Sequence, residues 1–200
     1  EGATYTFTGS QTLVGSSANA FSYTLKANTK ESNYIIKKSE GTLSVTNRGT
    51  KYEVTVKANS TTATYDGTDH SATGVETYEF TIGSNKYTVT GLSTQDPTQK
   101  DAGTYTNNIT GTPVVLDAEG HDVTAQFTVK TENGKLIINK AQVTLKSADL
   151  SKKYDGKALV NGETALKTET GFAKGEGATY TFTGSQTLVG SSANAFSYTL

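Results

Sequence analysis

Apolar and polar residues alternate with a period of two along most of the chain. Segments such as TYTFT, FSYTL, YEVTV and KYTVT place every second side chain on one face, which is typical of half-buried strands. Turn signals such as DG, SEG, GSN and ENG separate these segments, and their Gly and Asn residues accept the positive φ of tight turns. The Ser-rich stretch GSSAN at 15–19 is also expected to be a turn. No stretch of a dozen residues carries a helical stripe, so the pattern predicts an all-β chain.

The chain is built from repeats. Residues 1–25 recur letter for letter as residues 176–200, which fixes a period of 175 residues. A second, degenerate repeat lies inside this period, because YIIKKSEGTLSV at 34–45 matches FTVKTENGKLII at 127–138. Each period therefore holds two related modules of similar size, which we name A and B.

The module boundaries follow from these matches. Module B runs from 50 to 139 and is complete, whereas residues 1–46 are the C-terminal part of one module A and residues 141–200 are the N-terminal part of the next. About 88 residues with short, regularly spaced strands are typical of an Ig-like β-sandwich, and a β-grasp-like module is the alternative. The joins between modules are short and contain no Pro- or Ser-rich linker, which predicts an elongated rod.

Composition narrows the classes of function. The formal charge is -1, which argues against binding to nucleic acid, because a phosphate-backbone binder needs a basic face. No apolar run is long enough to span a membrane. The chain has no Cys, which removes disulfides and thiolate chemistry. It also lacks a Gly-x-Ser-x-Gly elbow and a phosphate-binding loop ending in Lys-Ser or Lys-Thr, so we expect neither an enzyme nor a bound cofactor.

A Tyr-Asp-Gly motif occurs once in each module, at Tyr65-Asp66-Gly67 and at Tyr154-Asp155-Gly156, 89 residues apart. We interpret it as structural: the Tyr ends a strand with its ring on the core, and the Asp and Gly form the turn that follows.

The histidines offer one cluster of candidate metal ligands. His121 has Asp117, Glu119 and Asp122 nearby in the sequence, but this stretch lacks the spacing of a calcium loop. A zinc site needs three or four held ligands, so a solvated turn without metal is the favoured interpretation.

Several ordered motifs carry a family resemblance. YDG, AGTYTNNI at 102–109, VLDAEGHDVT at 115–124 and GKLIINKAQVTL at 134–145 resemble the MBG/YDG-type repeats of Gram-positive surface proteins, and module A resembles the partner repeats beside them. The resemblance covers essentially the whole chain. It implies a location on the cell surface, within the stalk or the ligand-presenting region of a cell-wall-anchored adhesin. It also raises the possibility of a Lys–Asn isopeptide bond, for which Asn139 at the end of module B is the candidate.

Two functions follow as expectations. The first is a structural stalk, in which each module contacts neighbouring repeats of the same chain and projects a terminal binding domain. The second is a weak binding module for host mucin, glycan or matrix protein, multiplied by repetition. Because the two parts of module A are complementary, head-to-tail association between chains is also expected.

Overall fold

The computed structural model describes residues 2–76, 78–162 and 166–200. The protein is all-β, which confirms the fold class predicted from the alternating pattern. Helical structure in the described residues is limited to two 3-10 turns, Glu31–Asn33 and Thr124–Gln126. Within the same residues, no helix has the length and apolar character needed to cross a bilayer.

The strands are short and follow the alternating segments of the sequence. The first 46 residues form β1 (Ala3–Phe7), β2 (Gly15–Asn19), β3 (Phe21–Leu25) and β4 (Gly41–Val45). Residues 50–139 form β5 (Tyr52–Lys57), β6 (Thr61–Thr64), β7 (His70–Ser71), β8 (Glu79–Ile82), β9 (Asn85–Thr94), β10 (Thr98–Gln99), β11 (Gly103–Asn107), β12 (Ile109–Asp117), β13 (Phe127–Glu132) and β14 (Gly134–Asn139). Residues 141–200 form β15 (Thr144–Lys146), β16 (Leu159–Val160), β17 (Thr168–Thr170), β18 (Thr179–Phe182), β19 (Ser185–Gln186) and β20 (Phe196–Thr199).

One local prediction was wrong. GSSAN, expected as a turn, forms β2 and pairs antiparallel with β4, from Gly15 beside Val45 to Asn19 beside Gly41. Ser and Gly favour turns in isolation, but a partner strand distant in sequence satisfies the backbone groups here and overrides that local preference.

The sheets are small, with two or three strands each in the described residues. The two-stranded sheets are β1·β3, β2·β4, β5·β13, β7·β10, β15·β17, β16·β19 and β18·β20, and the three-stranded sheets have the orders β11-β14-β6 and β12-β9-β8. Strand β14 is antiparallel to β11 and parallel to β6. These small sheets are consistent with β-sandwich modules, whereas no described segment supplies the helix of a β-grasp-like module.

Two compact units can be distinguished by contacts within the chain. One comprises Glu1–Val56, Thr77–Leu92 and Gly111–Lys130, and the other comprises Lys57–Glu76, Ser93–Thr110 and Thr131–Leu200. The buried apolar side chains of the described residues all lie between Val56 and Ile138: Val56, Ala58, Ala72, Val75, Val89, Val115, Phe127, Leu136 and Ile138.

The first unit is held together by aromatic rings. Phe80 stacks on Tyr87 with the ring centroids 5.5 Å apart. Phe127 makes edge-to-face contacts with Phe80 and Tyr87, at centroid distances of 5.6 and 5.0 Å. Tyr52 lies 5.6 Å from Phe127 on another side. Offset and edge-to-face contacts of this kind stabilise a core beyond the area that they bury.

The second unit has an aliphatic core around the central strand β14. Leu136 and Ile138 are almost completely buried with Ala72, and the rings of Tyr65 and Tyr105 pack against them. Because β14 has a partner strand on each edge, its backbone is satisfied on both sides and its alternate side chains fill the core.

The duplicated sequence forms the same antiparallel strand pair twice, and we call this pair the hairpin although β2 or β19 lies within its connection. In β1·β3, Tyr5 lies opposite Tyr23, and in β18·β20, 175 residues later, Tyr180 lies opposite Tyr198. The ring centroids of Tyr5 and Phe21 lie 6.0 Å apart in the first copy, and those of Tyr180 and Phe196 lie 6.2 Å apart in the second. The local fold of the hairpin is therefore set by its own sequence.

Candidate functional site

The first Tyr-Asp-Gly motif forms a bend directly after β6. The Asp66 carboxylate accepts hydrogen bonds from the hydroxyl and the backbone N–H of Thr68 at 2.6 and 2.9 Å, and it lies 3.0 Å from Nε2 of His70. The Thr68 hydroxyl is the main cause that lowers the pKa of Asp66 below its usual value. Gly67 has a φ of +78°, which glycine adopts without steric cost.

The second motif forms a similar bend at Gly156, where φ is +77°. Asp155 accepts hydrogen bonds from the Lys152 ammonium at 2.8 Å and the Lys157 backbone N–H at 3.0 Å, and the ammonium contributes most to lowering the pKa of this carboxyl. The motif therefore acts as a turn in both modules, with different partners for its carboxylate.

The tyrosines of the two motifs differ. Tyr65 is half-buried against the core around Leu136 and Ile138, and its hydroxyl donates to a carboxylate oxygen of Glu176. Tyr154, in contrast, is 65% exposed, so the expectation that its ring packs on a core was wrong. The physical reason is that no strand corresponding to β14 lies beside it in the described residues.

The His121 cluster is a closed turn. One Asp117 oxygen accepts from the backbone N–H groups of Glu119 and His121 at 3.1 and 2.8 Å, and the other lies 3.0 Å from Nδ1 of His121. Burial pushes the pKa of Asp117 up, but the hydrogen bonds from His121 outweigh this effect and hold the pKa below its usual value. Asp122 accepts instead from the backbone of Thr124 at 2.9 Å. Although the ligand atoms of Asp117, Glu119 and His121 lie within 4.8 Å of one another, this geometry is that of an Asx turn.

Asn139, the candidate for an isopeptide bond, is the last residue of β14, and its side chain is exposed. Its backbone carbonyl accepts a hydrogen bond from the Tyr65 N–H at 2.8 Å. The residue thus closes the end of the β6·β14 ladder, and the isopeptide bond stays a prediction.

Asn107 is a buried polar residue that was not predicted from the sequence. Asn107 is completely buried, its amide nitrogen donates to the Asn59 carbonyl at 3.2 Å, and its amide oxygen accepts from the Asp96 N–H at 3.0 Å. In module A, Asn194 donates in the same way to the carbonyl of Ala148 at 2.8 Å. The two acceptors, Asn59 and Ala148, are 89 residues apart like the two Tyr-Asp-Gly motifs, whereas Asn107 and Asn194 are 87 residues apart. A single offset of 89 residues therefore does not align the two asparagines, and the sequence gives no simple signal for them.

The twin hairpins differ in what covers their aromatic face. In the first copy Tyr5 is 60% exposed while Tyr23 is half-buried. In the second copy Tyr180 is half-buried and Tyr198 is 56% exposed. Burial together with the nearby Glu169 carboxylate raises the pKa of Tyr180 to about 12. Since the hairpins are identical, their neighbours alone decide which half of the face is covered.

An aromatic groove of about 640 Å³ accompanies the first hairpin. The rings of Tyr5, Phe21 and Tyr23 form one wall, and the segment Tyr34–Ser39 forms the other. Ile35 on this segment is 93% exposed. Such a surface can stack on a sugar ring or on an apolar side chain.

Comparison with known proteins adds no assignment to this geometry. The chain matches no protein-family model, no curated protein and no solved structure.

Proposed function

We propose that this chain is part of the stalk of a cell-wall-anchored adhesin of a Gram-positive bacterium, built from MBG/YDG-type repeats. The observation that carries the proposal is repetition at the level of three-dimensional structure. Hairpins β1·β3 and β18·β20 share one strand register, and Asn107 and Asn194 make the same bond in two diverged modules. Arrays of such units change length by gaining or losing copies, so reach is the property that repetition tunes.

The topology of module B supports this role. Strands β6 and β14 run parallel, with Thr61 beside Leu136 and Thr64 beside Asn139. The chain therefore enters this ladder at one end and leaves it at the other. A repeat with this topology passes the chain onward to the next module, which is what a stalk requires.

The length of longer arrays tests the proposal. The two longest strands of module B, β9 and β12, have ten and nine residues. At about 3.3 Å per residue, these strands and the turns at their ends make a module roughly 35–40 Å long, so each repeat period should add about 70–80 Å. Chains with one, two and four periods should show a maximum dimension in small-angle scattering that increases linearly with copy number. Compact particles, whose dimension grows only with the cube root of mass, would refute the stalk.

A weak binding module is the second candidate, because the groove beside Tyr5 and Tyr23 presents aromatic rings to solvent. Repetition would raise the avidity of such a site for mucin or other glycans. The second copy of the hairpin argues against a binding module. Tyr180, which has the same position as the exposed Tyr5, is half-buried there, so neighbouring residues cover part of the aromatic face.

Binding measurements separate the two candidates. One-period and four-period chains are immobilised and exposed to mucin and to a panel of glycans. Binding that strengthens with copy number and falls with Tyr23→Ala would make the repeats themselves adhesive. Equal, background-level signal from both chains would leave the stalk as the function.

A further inference from the structure

The segment from Thr46 to Lys51 connects β4 of module A to β5 of module B, and we call it the A–B join. A free segment of this length, without proline, would let the two modules swing about one another. Its sequence is TNRGTK, and its arginine is the only one in the chain. Hydrogen bonds and a ring contact hold the A–B join against module B.

Gln126 of module B holds two consecutive residues of the join. Its amide oxygen accepts a hydrogen bond from the Arg48 backbone N–H at 3.0 Å, and its amide nitrogen donates to the side-chain oxygen of Asn47 at 2.5 Å. Because a backbone N–H can only donate, the first bond fixes which end of the Gln126 amide is oxygen and leaves the nitrogen facing Asn47. One planar side chain thus secures the join at two adjacent points.

The Arg48 side chain holds the rest of the join. Its guanidinium lies over the Tyr52 ring, with Cζ 3.7 Å from the ring centroid, and Nη1 donates to the Tyr52 hydroxyl at 2.8 Å. Nε donates to the carbonyl of Thr50 at 3.0 Å. A planar guanidinium suits this combination of ring contact and directed hydrogen bonds, whereas a lysine ammonium is a point charge on a flexible stem. The arginine therefore ties the middle of the join to its end and to the first residue of β5.

The side chains that receive the join are themselves held by the core of module B. Gln126 ends the second 3-10 turn, whose Thr124 hydroxyl accepts a hydrogen bond from the Val115 N–H at 2.8 Å. The next residue, Phe127, is buried, and its ring centroid lies 5.6 Å from that of Tyr52. Gln126 and Tyr52 are therefore in place before the join docks, so docking has to order only the join itself.

We propose that module B locks the A–B join: Gln126 and Tyr52 form a docking site for Asn47 and Arg48, and this contact prevents the join from acting as a hinge. All of these residues belong to the first compact unit. The inference rests on the stalk of the proposed function, because locked joins would keep consecutive modules of a stalk from folding back on each other.

The lock also protects the join from cleavage. A protease that cuts after arginine has to bind the arginine side chain and to draw the flanking backbone into an extended conformation. In the locked join the Arg48 guanidinium is engaged with Tyr52 and Thr50, and its backbone N–H is engaged with Gln126. Cleavage therefore requires the lock to open first, and its rate reports how often that happens.

An arginine-specific protease tests the lock in the intact chain, because Arg48–Gly49 is the only bond that it can cut. Gln126→Ala removes both amide hydrogen bonds and should speed cleavage by about tenfold. Asn47→Ala removes one of them and should speed cleavage by about threefold. Gln99→Ala is the matched control, because Gln99 is an exposed glutamine in β10, and its cleavage rate should equal that of the wild-type chain.

Cleavage after lysine separates opening of the join from unfolding of module B. Lys130 in β13 and Lys135 in β14 become accessible to a lysine-specific protease when those strands open. In Gln126→Ala the cleavage rate at both lysines should stay at the wild-type value while the rate at Arg48 rises. Equal acceleration at all three positions, or an unchanged rate at Arg48, overturns the lock.

Distances between two spin labels measure the motion of the join directly. The chain has no cysteine, so Ser22→Cys in β3 and Thr55→Cys in β5 provide one exposed labelling position on each side of the join. The distance distribution should be narrow in the otherwise wild-type chain and about twice as wide once Gln126→Ala is added. Adding Gln99→Ala should leave the width unchanged. Equal widths with Gln126→Ala and Gln99→Ala overturn the lock.

The outcomes separate this inference from the stalk. Cleavage and label distances are measured within one chain of 200 residues, whereas the stalk is tested by the dependence of length on copy number. An open join in chains whose length still increases linearly would overturn the lock and leave the stalk. Compact multi-period particles with a protected Arg48 would refute the stalk and leave the lock standing.

Discussion

Replacing Gly134 with alanine tests how tightly β14 is packed against the first strands of module B. Gly134 does not have a positive φ, so alanine causes no backbone strain of its own. The cost is steric: the new methyl group lies 2.6 Å from the carbonyl oxygen of Ala58 and closer to that of Asn59. Both obstacles are backbone atoms, which cannot rotate away as a side chain can.

The magnitude follows from two contributions. Overpacking of this kind costs about 1–3 kcal/mol because neighbouring backbone has to move. The Asn59 carbonyl is also the acceptor for buried Asn107, and weakening that hydrogen bond costs about 1 kcal/mol more. We therefore expect Gly134→Ala to lower the free energy of unfolding by about 3 kcal/mol. For a domain of this size, that corresponds to a fall in Tm of about 12–24 °C.

The equivalent position in module A provides the matched control. Gly41 has the same place in the ladder, but a Cβ there meets nothing within 4 Å. Gly41→Ala should change the stability of the chain by no more than about 0.5 kcal/mol.

Urea unfolding followed by far-UV circular dichroism measures both variants, and hydrogen exchange of peptides from β14 localises the effect. If each module unfolds as its own cooperative unit, the hydrogen-exchange rates of its peptides show which module has lost stability. Equal destabilisation by the two alanines, or a loss below about 1 kcal/mol at Gly134, would refute this account of the packing.

Three further predictions concern side chains. Leu136→Ala should lower the free energy of unfolding in urea by about 2–5 kcal/mol, because this side chain is fully buried. Leu43→Ala should lower it clearly less, because Leu43 of β4 is only half-buried. Equal losses in the two variants would contradict this difference in burial. Asn107→Ala should lower the free energy of unfolding by about 2–4 kcal/mol, because the Asp96 N–H and the Asn59 carbonyl lose their hydrogen-bond partner. An unchanged free energy of unfolding would mean that water takes over both hydrogen bonds. Because the pKa of Tyr180 is raised to about 12 in the folded chain, its contribution to stability is intact below pH 10 and is lost between about pH 10 and 12. Tyr180→Phe should flatten this alkaline loss, and an unchanged alkaline loss in this variant would refute the assignment.

The sequence is sufficient for the parts of the fold that local chemistry decides. Alternation located β3, β5 and β9. The glycine of each Tyr-Asp-Gly motif lies in a bend with a positive φ. The identical hairpins also adopt one register, because their cross-strand partners lie within 25 residues.

What the sequence did not reveal depends on partners that are distant along the chain. GSSAN is a strand in β2 and not in residues 190–194, although the letters are the same. Tyr65 and Tyr154 share a motif, yet only Tyr65 has β14 to cover it. Asn107 carries no local signal, since its importance comes from the carbonyl of Asn59, 48 residues away.

The parallel alignment of β6 and β14 has a mechanical consequence. Tension applied to the two ends of this ladder pulls the strands along their own axes in opposite directions. The hydrogen bonds between Thr61–Thr64 and Leu136–Asn139 are then loaded in shear, and they must rupture together. An antiparallel hairpin pulled from its two free ends opens one bond at a time. A module of this topology therefore resists stretching more strongly than its thermodynamic stability alone would indicate.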